Sequence, residues 1–254
     1  MIFVLFCFGF CSILLYMLYV AYHDTITYEE IISQKIHPNM ESFNIFFIAD
    51  IHRRHLNNQT LNKIKQPIHL VLIGGDIVER GVPLERVRRN IIQLKQWNVP
   101  AYFVWGNNDY EVNTDLFKKI LLEEGVTILE DSVVSITHNN YKLNLIGFQY
   151  YQDMWQQPAI NWGAIDDSFT ILVTHKPSDF YTLQNEQKQK IDLTLAGHTH
   201  GGQIRLFGLG FYRKGGMFQD QHTTIFITEG YGYTLLPFRL QTKAECHLIT
   251  LKST

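Results

Sequence analysis

From Met1 to Tyr22 the chain is a run of apolar and aromatic side chains broken only by Gly9 and Ser12, with no Lys, Arg, Asp or Glu. At about 1.5 Å per residue a helix of this length spans the roughly 30 Å hydrocarbon core of a bilayer. A cleaved signal peptide wants a basic leader and a small-x-small site; neither is present, and Tyr19 spoils the site before Ala21. Cys11 follows the bulky Phe10 in mid-run, which argues against a lipoprotein cleavage site. A core helix is rarely apolar on every face. The pattern therefore predicts a single membrane anchor over residues 1–22, a mixed polar tether over 23–42, and one globular domain over 43–254.

Past the tether one pattern recurs five times: a short apolar run, then within three residues a polar side chain of metal-ligand type. Asn44 to Ala49 leads to Asp50, Leu70 to Ile73 to Asp76, and Tyr102 to Trp105 to Asn107. Ile171 to Thr174 leads to His175, and Leu193 to Ala196 to His198. Runs so short and continuously apolar fit buried strands. Pro83 to Trp97 places Leu84, Val87, Ile91 and Leu94 at helical spacing, and Thr114 to Glu124 reads as a second helix, with Thr114 as N-cap and Gly125 as its stop. Strands alternating with helices imply crossover units and a largely parallel sheet. Val133 to His138 and Tyr141 to Phe148, joined by Asn139-Asn140, predict a β-hairpin. A loop without periodicity follows from Gln149 to Asp167, and Thr224 to Thr228 and Cys246 to Leu251 read as further strands.

Composition narrows the function. With 254 residues there is room for one domain and an appendage, and 22 Lys+Arg against 24 Asp+Glu leave a net charge of −2. No nucleic-acid partner is expected from that balance; Arg86, Arg88 and Arg89 read as the solvated face of a helix. Three cysteines, Cys7, Cys11 and Cys246, exclude a disulfide framework. In open α/β sheets ligands bind beyond the carboxyl ends of the strands. Asp50, His52, Asp76, Asn107, His175, His198 and His200 would then share one rim. Imidazoles, carboxylates and an amide oxygen without thiolates suit Mn, Zn or Fe rather than a structural zinc. The set is too large for one tetrahedral ion and fits two ions about 3.5–4 Å apart sharing a carboxylate. In an extended segment residues two apart point the same way, so Asp50/His52 and His198/His200 could each address one ion. Taken singly, Asp76 after Gly74-Gly75 or Asn107 after Gly106 would be no more than turn residues.

In order, Asp50-Ile-His52, Gly74-Gly75-Asp76, Gly106-Asn107-Asn108-Asp109, Thr174-His175 and Gly197-His198-Thr199-His200-Gly201-Gly202-Gln203 resemble the five motifs of the calcineurin-like metallophosphoesterase superfamily. Ile204-Arg205-Leu206, Glu229-Gly230-Tyr231-Gly232 and Leu236-Pro237-Phe238-Arg239 look more narrowly like its bacterial YkuE/YaeI-type branch of membrane-associated phosphodiesterases. The resemblance implies a four-layer αββα sandwich with two divalent metal ions between its sheets. Asp50, His52 and His200 would hold one ion, Asn107, His175 and His198 the other, and Asp76 would bridge them. A hydroxide between the ions would attack phosphorus. Arg80 matches an arginine that follows the second motif in some relatives and would clamp a phosphate, with a surface pairing to Glu79 or Glu85 as the competing reading; Arg53 is a second candidate of that kind. Most members read Gly-Asn-His-Asp where this chain has Gly106-Asn107-Asn108-Asp109. That histidine is the family's general acid, whereas Asn108 donates a hydrogen bond but no proton.

The expectation is thus a single-pass membrane hydrolase of phosphodiesters or pyrophosphates, acting on a lipid- or envelope-linked phosphoester. The alternative is a metal-binding scaffold or receptor that keeps the fold and has lost turnover. Asp24, Glu29 and Glu30 follow the span with only Lys35 nearby. Acidic residues count little toward orientation, and the amino-terminal charge ahead of the span favours an external catalytic domain.

Overall fold

The computed structural model describes residues 1–152, 156 and 158–254; part of the predicted loop 149–167 therefore lies outside the described residues. Helix α1 (Ile2–Tyr22) projects from the body, with only Met17 and Ala21 buried, so it is not a core helix. It is long and apolar enough to cross a membrane. The segment read as a tether is instead strand β1 (Asp24–Ser33), paired in parallel with the last strand of the chain. Its alternation is blurred because only Ile31 of the strand is fully buried, which is why the sequence pattern looks merely polar.

After β1 come β2 (Phe43–Ile48), α2 (Asn58–Leu61), β3 (Leu70–Ile73), α3 (Leu84–Leu94), β4 (Ala101–Phe103), α4 (Thr114–Glu123) and β5 (Val126–Ile128). The second half contains β6 (Ser132–His138), β7 (Tyr141–Gly147), β8 (Thr170–Thr174), α5 (Ser178–Thr182), α6 (Asn185–Lys188), β9 (Leu193–Ala196), β10 (Gly216–Asp220), β11 (Thr223–Ile227) and β12 (Ala244–Ser253). One sheet has the order β1-β12-β2-β3-β4-β5, the other β10-β11-β9-β8-β7-β6. Each is largely parallel, as the alternation of strands and helices predicts, with antiparallel exceptions. β12 runs antiparallel to β2, and the outer pairs β6–β7 and β10–β11 are antiparallel.

Alternation along the strands builds the layers. In β2, Ile45 and Phe47 pack inward against Leu143, Leu145, Ile171, Val173, Leu193 and Leu195 of the second sheet. Phe46 and Ile48 face outward onto Val87, Ile91 and Leu94 of α3 and Phe117 and Leu121 of α4. On the far side Ile146, Leu172, Ile225 and Ile227 meet Phe180, Leu183 and Ile191. The result is an αββα sandwich. Asn139 and Asn140 both take positive φ (49° and 66°), the tight hairpin turn their side chains suit. The N-cap of α4 is Asn113, one residue before the expected Thr114: its side chain accepts from the Leu116 N–H at 3.0 Å. Gly125 at φ 69° ends that helix as expected. Arg88 pairs with Glu123 and Glu124, tying α3 to α4, so part of the cationic face is internally neutralised.

Candidate metal centre

All five predicted strand ends, those of β2, β3, β4, β8 and β9, deliver their polar residue to one rim between the sheets. Asp50, His52 and His200 form one cluster, and Asp76, His175 and His198 a second; within each, the candidate ligand atoms lie within 4.8 Å of one another. Asp76 stands between them, its Oδ2 3.2 Å from His175 Nε2 and 3.8 Å from His52 Nε2. Asn107 joins the second cluster, with Oδ1 3.2 Å from His175 Nε2. The backbone does not reach this arrangement by extension. Asp50, His52, Asp76, His198 and His200 all sit in the left-handed region, at φ 56°, 50°, 52°, 71° and 48°. Each such residue costs on the order of 1–3 kcal/mol, and clustered strain of this kind marks functional sites. It also overturns the two-apart rule for one pair: His198 and His200 turn to different clusters, whereas Asp50 and His52 share one.

Glycines permit the crowding. Gly75 (φ 86°) lies so close to the third motif that a Cβ there would come within 2.6 Å of the Gly106 nitrogen and 2.9 Å of His175 Nδ1. Gly230 (φ 79°) packs on Asp50, where a Cβ would meet the aspartate Cβ at 2.8 Å.

The donor set fits cations. His175 Nδ1 is 2.8 Å from the Gly74 carbonyl, to which it donates, so Nε2 is the nitrogen that faces Asp76, Asn107 and His198 Nδ1, the last at 3.2 Å. His52 Nδ1 lies 3.0 Å from Glu79, and its Nε2 faces His200 Nε2 at 3.0 Å. Burial opposes charge on His175, but Asp76 and Asp50 outweigh it and raise its pKa to about 10. Burial and the positive His175 hold His198 down at about 4, and burial together with His52 and Arg239 keeps His200 well below the usual imidazole range. Burial, with Asp76 close by, lifts Asp50 to about 6. Such opposed pulls among touching groups belong to a site built for cations rather than for protons alone.

Three supporting residues escaped the sequence reading. Asp109 is fully buried and accepts from the backbone N–H groups of Asp76 (2.7 Å), Ile77 (2.9 Å), Val78 (3.2 Å) and Gly106 (2.8 Å), fastening the second motif to the third. Each oxygen takes two donors, so in Asp109→Asn the new NH₂ must face two N–H groups in either orientation. That change is expected to destabilise the fold by about 2–6 kcal/mol, two unsatisfied buried donors at roughly 1–3 each; a thermal melt within a degree of the parent would contradict it. Glu79 orients His52. Arg239 is fully buried and donates to the carbonyls of Glu229 (2.7 Å), Gly230 (3.0 Å) and Gly232 (2.7 Å), fixing the loop that seats Gly230 on Asp50. Asp109 and Arg239 were visible inside quoted motifs, but only their backbone partners, distant in sequence, reveal what they do.

The two arginine candidates fall elsewhere. Arg53 pairs with Glu79 and so acts on the far side of His52. Arg80 is exposed, does not line the cavity over the clusters, and shows no side-chain partner among the described residues, neither Glu79 nor Glu85. Asn108 does line that cavity: its N–H donates to Asp76 Oδ1 (2.7 Å), its Oδ1 accepts from Asn107 (2.7 Å), and its Nδ2 donates to Glu111 (3.2 Å). The cavity encloses about 610 Å³ and is walled by Asn107, His198, Gln203, Phe211 and Tyr212.

A two-sheet sandwich holding two facing clusters of His and Asp around one shared carboxylate defines a metallophosphoesterase. Residues 43–202 match the calcineurin-like phosphoesterase family model, and the chain belongs to that family; it is a hydrolase of phosphoester bonds. It is 39% identical over 212 residues to the uncharacterized protein YpbG of Bacillus subtilis, covering 82% of this chain and 80% of that one. It is 28% identical over 234 residues to the phosphodiesterase YaeI of Escherichia coli, covering 84% and 83%. It is 24% identical over 253 residues to a zebrafish (Danio rerio) transmembrane protein with a metallophosphoesterase domain, covering 88% of this chain and 56% of that one.

Proposed function

We propose that the chain is a membrane-anchored, two-ion phosphodiesterase or pyrophosphatase whose catalytic domain lies on the external face of the membrane. The observation that carries this reading is the pair of ligand clusters meeting at Asp76 beneath an open cavity. The phosphodiesterase named among its relatives and the transmembrane relative agree with it. External placement rests on the charge around the span alone. In this reading Asp50, His52 and His200 hold one ion, and Asn107, His175 and His198 the other. When bound, Mn, Zn or Fe ions would acidify a water to a hydroxide nucleophile and neutralise phosphate oxygens. The chain's own residues supply the rest. Asp76 shares its carboxylate between the clusters. The Gly74 carbonyl takes the Nδ1 hydrogen of His175, and the Glu79 carboxylate beside His52 Nδ1 favours a hydrogen there, so that Nε2 of each ring would turn to an ion. Asn108 stands over the cavity as a donor to a phosphate oxygen.

Full-length protein in detergent, loaded with Mn²⁺, should hydrolyse bis(p-nitrophenyl) phosphate faster than p-nitrophenyl phosphate, stop on chelation, and recover on adding Mn²⁺. Two bound ions with no turnover of either ester would favour the scaffold reading and sink this one.

Metal uptake should also depend on pH in a definite sense. His175 carries a proton below about pH 10 in the ion-free site, so an ion must displace it. Apparent affinity should rise with pH by at least about tenfold per unit through neutrality, since His52, which burial opposes but Glu79 and the aspartates raise, also gives up a proton, and more steeply below about pH 6 where Asp50 also binds one. Calorimetry in buffers of different ionisation enthalpy counts the protons released; affinity flat between pH 6 and 9 would contradict the assignment.

A further inference from the structure

Beside the cavity lies a second surface that the hydrolytic site does not use. The segment from Ile204 to Phe211, with Leu235 and Leu236, forms an apolar depression of about 820 Å³ whose lining includes Gln203 and Phe211, shared with the metal-centre cavity. Its side chains face outward: Phe207 is 96% exposed, Phe211 99%, Leu209 78% and Leu235 89%. A contiguous exposed patch of this kind marks a contact surface. The loop is not loose. Arg205 lies across its base and donates to the carbonyls of Gly201 (2.8 Å), Tyr212 (2.7 Å) and Gly208 (2.6 Å), so the apolar tips are held out by a stapled backbone.

What covers this patch follows from its position against α1. Ile204 bridges to Leu240, and the next residue back, Arg239, donates its N–H to the carbonyl of Met17 at 3.1 Å. Tyr22, the last residue of α1, meets Tyr233 hydroxyl to hydroxyl at 3.0 Å. Met17 lies five residues before the end of α1, so its carbonyl sits about 7.5 Å down the helix. A helix that crosses the bilayer carries the flanking Leu235, Leu236 and Ile204–Phe211 to a depth of the same order, the 5–10 Å at which interfacial elements lodge. The exposed Tyr19 and Tyr22 at the junction match an interfacial aromatic belt, and the exposed Arg213 and Lys214 beside Phe211 suit anionic headgroups.

We propose that residues 204–211 together with Leu235 and Leu236 dock into the bilayer that α1 spans, holding the mouth of the metal centre at headgroup level, so that the phosphoester it receives is carried on a membrane lipid. The inference rests on the membrane reading of α1 and deepens the proposed activity by naming the substrate class. It accounts for a catalytic cavity with one wall made of Phe211 and Tyr212: an acyl chain can stay in the bilayer along that wall while the phosphate reaches Asn108 and the metal clusters.

The test uses the full-length chain in nanodiscs of phosphatidylglycerol and phosphatidylcholine. With Cys7 and Cys11 changed to serine, Phe207→Cys and Asn139→Cys each carry an environment-sensitive fluorophore; Asn139, in the hairpin turn far along the chain from the patch, is the control. The Phe207 label should shift to the blue and be quenched severalfold more by lipids brominated near the headgroup than the Asn139 label. Equal, weak quenching at both sites would overturn the proposal, as would a blue-shifted Phe207 label that lipid does not quench, since that places a second protein copy there. In parallel, Phe207→Glu and Leu235→Glu should leave bis(p-nitrophenyl) phosphate turnover unchanged while lowering release of headgroup phosphate from a lipid phosphodiester in the same discs at least tenfold. Equal loss on both substrates would overturn it. Lipid quenching without turnover of any ester would instead leave the docking intact and remove the hydrolytic reading.

Discussion

Asp76→Ala is expected to hold fewer than two divalent ions and to lose phosphodiester turnover by roughly 10³-fold or more, the several kcal/mol of charge stabilisation that a bound ion supplies. Asp76 is the one carboxylate placed between the clusters, 3.2 Å from His175 and 3.8 Å from His52. Without it, Asp50 is the only anion left among the proposed ligands, facing two dications. The fold should survive the change, because the loop is held through main-chain bonds: the Asp76 N–H reaches Asp109 and its carbonyl accepts from the His52 N–H at 3.0 Å. Metal analysis by mass spectrometry and a circular dichroism melt separate loss of ions from loss of structure. A folded variant with two ions and parental turnover would show that Asp76 bridges nothing.

The sequence disclosed this centre because strand ends in a parallel arrangement announce themselves: β2, β3, β4, β8 and β9 are short, apolar and buried, and each stops at its functional residue. The same logic hid β1 and β10. Both lie at sheet edges, with side chains alternating between partly buried and exposed, so neither shows an apolar run. β5 has only three residues and follows a helix stop. The ligand set was legible one motif at a time, but the split of His198 from His200 came only from the family resemblance, since it depends on left-handed turns that no two-residue period encodes. Arg53 and Arg80 show the converse: proximity in sequence to a motif puts Arg53 on Glu79 and leaves Arg80 in solvent.

Asn108→His is expected to raise turnover of alkyl phosphodiesters by about 10²–10⁴-fold while leaving aryl esters almost unchanged. An aryl oxide departs without a proton, whereas an alkoxide needs one, and general acid catalysis matters only for the poor leaving group. The parent protein should accordingly prefer aryl esters strongly. The surroundings suit an imidazole at this position. Asn108 lines the cavity, and its Nδ2 donates to Glu111 at 3.2 Å, while the other Glu111 oxygen is held by the Arg80 N–H at 3.0 Å. A histidine whose ring nitrogen takes over the contact with Glu111 would have its protonated form favoured by that carboxylate, leaving the opposite nitrogen to donate toward the leaving oxygen. Its proton is lost as pH rises, so the variant should gain a falling basic limb in its alkyl-ester profile that the parent lacks. Adding Glu111→Gln to the variant should move that limb to lower pH, because the charge favouring the imidazolium is gone. If instead aryl and alkyl rates change by one common factor, Asn108 serves only to hold the phosphate, and the preference among leaving groups must originate elsewhere in the site.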